Sequence, residues 1–149
     1  MSDGAAHDAE IHALLAPQRA LRLRFEAFRR ALVLGDRVAV ELDLRELELL
    51  LRRRIELELR LLQPAIARAS LPGRDARREL ELEYVQLREL TRHLAQRIAS
   101  GAAMGEVLGF AENLDRRLAA HESEMERVYY PAALPALSAE DRRALSGGA

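Results

Sequence analysis

The chain has 149 residues, 49% apolar, 32% charged and 4% aromatic, with 23 basic side chains against 24 acidic and a formal net charge of −1. At this length one domain can build a core without covalent staples; the lack of cysteine excludes disulfides and thiolate metal sites, and interspersed acids and bases argue against the clustered basic footprint of a nucleic-acid binder. A composition rich in Leu, Ala, Glu and Arg and poor in aromatics favours helices over sheets, and the use of arginine for every basic residue apart from histidine reads as genome composition bias.

After a polar start of about eight residues, Ile11, Leu14, Gln18, Leu21, Phe25, Phe28 and Leu32 recur at steps of three and four, the inward stripe of a helix. Proline is comfortable only in a helix's first turn, so Pro17 predicts that the main helix begins near Ala16, behind a short arm or separate helix. Gly35-Asp36 closes this helix and caps the next. The second stripe reads Val40, Leu44, Leu47, Leu51, Arg54, Glu58, Leu61 and Ala65. Further leucines at 42, 49, 50, 57, 59 and 62 leave this helix apolar around much of its circumference, so it lies centrally or offers a partner surface. Ser70-Leu-Pro-Gly73 breaks the chain, and Leu80, Tyr84, Leu87, Thr91, Leu94 and Ile98 form a third stripe ending before Gly101. The fourth, Val107, Phe110, Leu114, Leu118, His121, Met125 and Val128, ends at Pro131. Ser138 followed by Glu140 and Asp141 predicts a capped C-terminal helix, and Ser146-Gly-Gly-Ala149 is expected to fray.

Amphipathic helices joined by short loops predict an all-α fold, an antiparallel up-down-up-down four-helix bundle over about 9–131, with an extension over 132–149, all in one domain. The N-terminus lacks the pattern of a signal peptide, and no run reaches the roughly 20 apolar residues that span a bilayer, so a cytoplasmic protein without membrane association is expected. The two halves also resemble each other: Leu23-Arg-Phe25-Glu-Ala-Phe28 aligns with Leu82-Glu-Tyr84-Val-Gln-Leu87.

A second internal match carries more chemistry. Arg54-Ile-Glu-Leu-Glu58 runs on to Pro64, and His121-Glu-Ser-Glu-Met125-Glu126 runs on to Tyr129-Tyr130-Pro131. Each segment has a polar residue on the inward seam, another seam residue four later and a proline ten later. The outline resembles the cation-binding motif of hemerythrin-like proteins, His-x-x-x-Glu-Glu leading to an aromatic-Pro ending, and the resemblance covers the chain from the first helix to Pro131. It implies four antiparallel helices around a carboxylate-bridged di-iron centre that serves oxygen or nitric oxide binding, iron handling or redox sensing. By the same resemblance the histidine positions of helices one and three fall on Phe25 and Tyr84. Arg54 stands in place of a histidine beside the retained Glu58, and Met125 in place of a carboxylate beside the retained His121.

Phenylalanine cannot ligate, and a buried guanidinium is repelled by a cationic iron centre. The first expectation is therefore a bundle without cofactor and without catalysis, in which Arg54, Glu58, Tyr84 and His121 form an internal polar cluster, Arg54 supplies the charge of the missing metal, and Phe25 and Met125 fill volume. Such a chain would act as an interaction or regulatory module, as a homodimer or with a protein partner through the leucine-rich second helix. An alternative keeps iron on Glu58, His121 and Tyr84, with Glu126 as a further ligand; another has Arg54 and His121 receive a small anion between the helices. His93, His7 and His12 are expected on the surface, Tyr129-Tyr130-Pro131 against the loop, and Glu122, Glu124 and Glu126 on a solvated face. No glycine-rich phosphate loop or nucleophile motif stands out.

Overall fold

The computed structural model describes residues 2–69, 71 and 74–147. These residues are almost entirely helical, and no strand occurs among them. The long helices are α1 (Ser2–Leu34), α2 (Arg37–Arg68), α3 (Ala76–Ala99) and α4 (Met104–Glu124); a π-helical turn (Met125–Tyr129), α5 (Tyr130–Ala133), a 3-10 turn (Leu134–Ala136) and α6 (Ala139–Leu145) follow. No described helix is long and apolar enough to cross a membrane. Apart from Leu71, the expected break at Ser70–Gly73 lies outside the described residues, as do Gly148 and Ala149 of the tail expected to fray.

The helix boundaries follow local chemistry. Gly35 adopts φ +69° and its N–H bonds the Leu32 carbonyl at 3.1 Å, a left-handed residue that closes α1. Asp36 then accepts the Ala39 N–H at 3.1 Å, and Asp75 the Arg78 N–H at 3.3 Å, so α2 and α3 each start on an aspartate cap. Ser138 does the same for α6, accepting the Asp141 N–H at 3.0 Å.

Pro17 acts differently from expectation. α1 does not begin at Ala16: it runs unbroken from Ser2 with Pro17 inside it. Proline in a helix interior costs about 3 kcal/mol, yet Ile11, Leu14 and Leu15 are all buried before it. Each contributes about 1.5–3 kcal/mol by burial, so packing of the first half outweighs the missing bond. Likewise α2 passes Pro64 and ends at Arg68, because Ala65 and Ile66 beyond the proline are buried.

All seven stripe positions of α1 and all six of α3 are buried. α2 and α4 slip by one residue in places: Leu62 is buried where Leu61 was expected, Ala111 for Phe110, and Tyr129 for Val128. The last slip comes from the π turn, where the Tyr130 N–H reaches the Met125 carbonyl. The widened turn adds a residue per revolution and brings both Tyr129 and Tyr130 inward. Pro131, which has no N–H to give the Arg127 carbonyl, sits at the start of α5 just beyond it. α1 packs on α2, α2 on α3, α3 on α4 and α4 on α1, and α6 lies against α1 and α2.

The leucine excess of α2 is largely absorbed within the chain. Leu62 is buried and Leu49, Leu50, Leu57 and Leu59 are half-buried, whereas Leu42 remains exposed together with Val38 one turn before it.

Candidate functional site

Glu58 is 0% exposed and sits among partners from all four long helices. Its Oε1 accepts the Gln18 side-chain amide of α1 at 2.6 Å and Arg54 Nε of α2 at 2.9 Å. Its Oε2 accepts the Tyr84 hydroxyl of α3 at 2.5 Å and lies 3.5 Å from Nε2 of His121 on α4. Arg54, 8% exposed, spends its remaining donors on three other elements. Nη1 donates to the Leu145 carbonyl at 2.5 Å, and Nη2 donates to the Tyr130 hydroxyl at 2.5 Å and the Leu14 carbonyl at 3.3 Å. The Leu145 carbonyl is one of those left over at the end of α6, where the helix dipole is negative, so the guanidinium caps that helix. Leu14 lies one turn before Pro17, in the stretch of α1 where the proline interrupts the regular ladder.

The four expected cluster residues, Arg54, Glu58, Tyr84 and His121, are thus brought together and buried, and Phe25 and Met125 are fully buried apolar side chains. Glu126 is not with them: it is exposed on the π turn, so its expected place among the ligands is corrected. The π turn spends its inward positions on Met125, Tyr129 and Tyr130. His7, His12 and His93 are exposed as expected, with His12 Nδ1 3.0 Å from Arg19 Nη2. Glu122 pairs with Arg22 at 3.3 Å, and Glu124 with Arg74 at 3.6 Å, on the outer face.

The charges fix the protonation states. Burial alone would raise the Glu58 carboxyl, but His121, Arg54 and Tyr84 together hold it below the usual carboxylate value, so it is ionised. Burial opposes the charged guanidinium of Arg54, and Glu58 and Tyr130 outweigh it, so that pKa rises. For His121 burial favours the neutral ring, yet Glu58 and Glu83 prevail and push its pKa up to about 9. Glu83 Oε2 stands 3.6 Å from His121 Nδ1, a separation at which the contact is an ion pair and Nδ1 has no hydrogen-bond partner. Burial and the neighbouring Glu58 drive the Tyr84 phenol well above its ordinary value, so it remains a donor. Arg54 and His121 therefore face Glu58 and Glu83, two positive groups against two negative.

This donor set does not fit iron. Both Glu58 oxygens are engaged by hydrogen-bond donors, a guanidinium stands 2.9 Å away, and Tyr84 is held as the neutral phenol. Among the described residues no group of three His, Cys, Asp or Glu side chains is arranged to hold a metal ion. The void beside the cluster, lined by Gln18, Arg54, Glu58 and His121, has about 10 Å³, no more than one water requires and too little for an organic anion.

Sequence reasoning passed over Gln18, Glu83 and Tyr130 as members of the site. Gln18 was visible in principle as a polar residue on the seam of α1; Tyr130 was masked by the π turn, and the Leu14 and Leu145 carbonyls have no side-chain signature. Compared with known proteins, the chain matches no family model, no curated protein and no solved structure.

Proposed function

We propose that this chain is a hemerythrin-like bundle, with its long helices in up-down-up-down order, in which the Arg54–Glu58 network stands where the family carries its di-iron centre, and that it serves as a non-catalytic interaction or regulatory module. The observation that carries the reading is the guanidinium of Arg54, bonded to Glu58 at 2.9 Å, on the inward seam where the motif has a histidine. The alternating order is supported by cross-helix contacts: Gln63 meets Glu81 while the earlier Glu58 meets the later Tyr84, and Arg97 meets Glu106 while Arg117 meets Gln86. Arg54, Glu58, Tyr84 and His121 are buried and face one another, and together with Glu83 their charges balance, which supports a role other than catalysis.

The interaction role, through a second copy or another protein, is supported by Val38 and Leu42, exposed apolar neighbours on α2. Elemental analysis tests the metal half of the reading: protein purified without an affinity tag after growth in iron-supplemented medium is expected to carry far less than one metal per chain. One or two irons per chain would overturn it. Sedimentation tests the other half, since a strict monomer at high micromolar concentration sinks the homodimer.

A further inference from the structure

Between α2 and α3 runs a surface groove of about 540 Å³, within the range of small-molecule sites and lined by none of the network residues. Arg45 and Arg52 of α2 and Arg88 and Arg92 of α3 border it, against a single carboxylate, Glu48. Arg92 is paired with Glu89 at 2.6 Å, whereas Arg45, Arg52 and Arg88 have no carboxylate within ion-pair distance among the described residues. A chain of net charge −1 thus concentrates positive charge along one groove.

The groove is also polarised along its length. The contacts of Gln63 with Glu81 and Glu58 with Tyr84 set later residues of α2 against earlier residues of α3. In that register Arg52 falls opposite Arg92, with Arg88 one turn away, while Leu49 falls opposite Ala95 and, one turn further, Arg45 opposite Ala99. One end gathers three guanidinium groups, Arg52, Arg88 and Arg92, whereas the other offers Leu49, Ala95 and Ala99 with Arg45 alone at its rim. Partial burial raises the Glu48 carboxyl above its usual value despite Arg52 and Arg45.

We propose that this groove binds a single amphipathic anion, a carboxylate or phosphate headgroup held by Arg52, Arg88 and Arg92 with an apolar body lying along Leu49, Ala95 and Ala99. Guanidinium forks match either headgroup bidentately, and Leu49, Ala95 and Ala99 beyond them offer apolar contact to a chain or ring. The proposal is independent of the metal reading above, because the groove and the buried network share no residue among those named.

Calorimetric titration of the full chain with decanoate and with decyl phosphate, below their micelle concentrations, tests it. One-to-one binding of both is expected. The Arg52→Ala/Arg88→Ala double variant should weaken it roughly tenfold, the loss of two exposed charge contacts. Ala95→Leu, which fills the apolar end without touching a charge, should weaken it comparably, and Arg60→Ala, outside the groove, should leave it unchanged. All these positions are exposed or half-buried, and circular dichroism checks that the variants are folded. Absence of binding at millimolar decanoate, equal binding of neutral decanol, equal binding of inorganic phosphate alone, or unaltered affinity in both groove variants would each overturn the proposal. So would binding to phosphatidylglycerol vesicles without binding of either free amphiphile, which would assign the charge to a lipid surface.

Discussion

Replacing Arg54 with alanine should cost about 3–5 kcal/mol of folding stability, the range for removing one partner of a buried ion pair. Four bonds disappear together, to Glu58, Tyr130, and the Leu145 and Leu14 carbonyls. A hydrogen bond to a charged group is worth about 1.5–3 kcal/mol net, but simple addition overshoots because burying the guanidinium is itself unfavourable. The larger effect is what remains: Glu58 at 0% exposure loses its guanidinium partner and keeps only His121 as a nearby cation, and the Leu145 carbonyl loses its cap. With Arg54 at 8% exposure, water can replace little of this. Urea denaturation followed by far-UV circular dichroism at neutral pH measures the loss. A change below about 1 kcal/mol would refute the reasoning, since only a solvated guanidinium can be removed so cheaply.

A double-mutant cycle separates the pair from its surroundings. Glu58→Gln keeps the shape and removes the charge, and it should cost at least about 1 kcal/mol less in the Arg54→Ala background than in the parent. Additivity within about 0.5 kcal/mol would mean that the two groups do not act on each other, whatever their separation.

His121 gives the network a pH dependence. Its folded pKa lies above its unfolded value of 6.5, at about 9, so the stabilisation is complete below pH 6.5 and is lost as pH rises through 9. The full shift corresponds to about 3 kcal/mol; the urea midpoint should fall between pH 6.5 and 9 in the parent and stay nearly level in His121→Gln, and a level parent would contradict the ion pairs with Glu58 and Glu83. Leu145→Ala should destabilise by about 2–4 kcal/mol, because a fully buried leucine is cut back and α6 is loosened from Arg54; proteolysis should then cut first near α6, and uniform protection would show that α6 holds without this anchor. Glu126→Ala should change stability by less than about 0.5 kcal/mol, as for other exposed positions, and a larger loss would return Glu126 to the interior.

The stripes of α1 and α3 were legible because their apolar positions keep the helical period without interruption. Where the helix itself departs from that period, the stripe misled. From Met125 onward the π turn adds a residue, so extrapolation at 3.6 per turn chose Val128 and left out Tyr129 and Tyr130. Pro17 misled for a different reason. Pro17 and Pro64 are local penalties, and whether a helix survives one is decided by apolar residues beyond it, here Leu14 and Leu15 on one side and Ala65 and Ile66 on the other. A propensity rule read at one position cannot weigh burial at another.

The polar cluster was legible for a related reason: Arg54, Glu58 and His121 are charged or chargeable groups on otherwise apolar stretches of the α2 and α4 seams, and a buried charge has to find partners. That requirement names the residues that need partners but leaves open which groups supply them. Tyr84 and Gln18 could be read as seam residues with hydrogen-bonding groups. Tyr130 required the π turn, and the Leu145 carbonyl required that α6 fold back over α2, a tertiary placement that Ser138 and its acids do not encode. Ser146 and the left-handed Gly147 bond the Arg142, Arg143 and Ala144 carbonyls locally, and the Leu145 carbonyl is met by Arg54, ninety-one residues earlier in the chain. It follows that the C-terminal helix and the interior network depend on each other: loosening α6 removes an acceptor from Arg54, and removing Arg54 leaves a buried carbonyl without a donor.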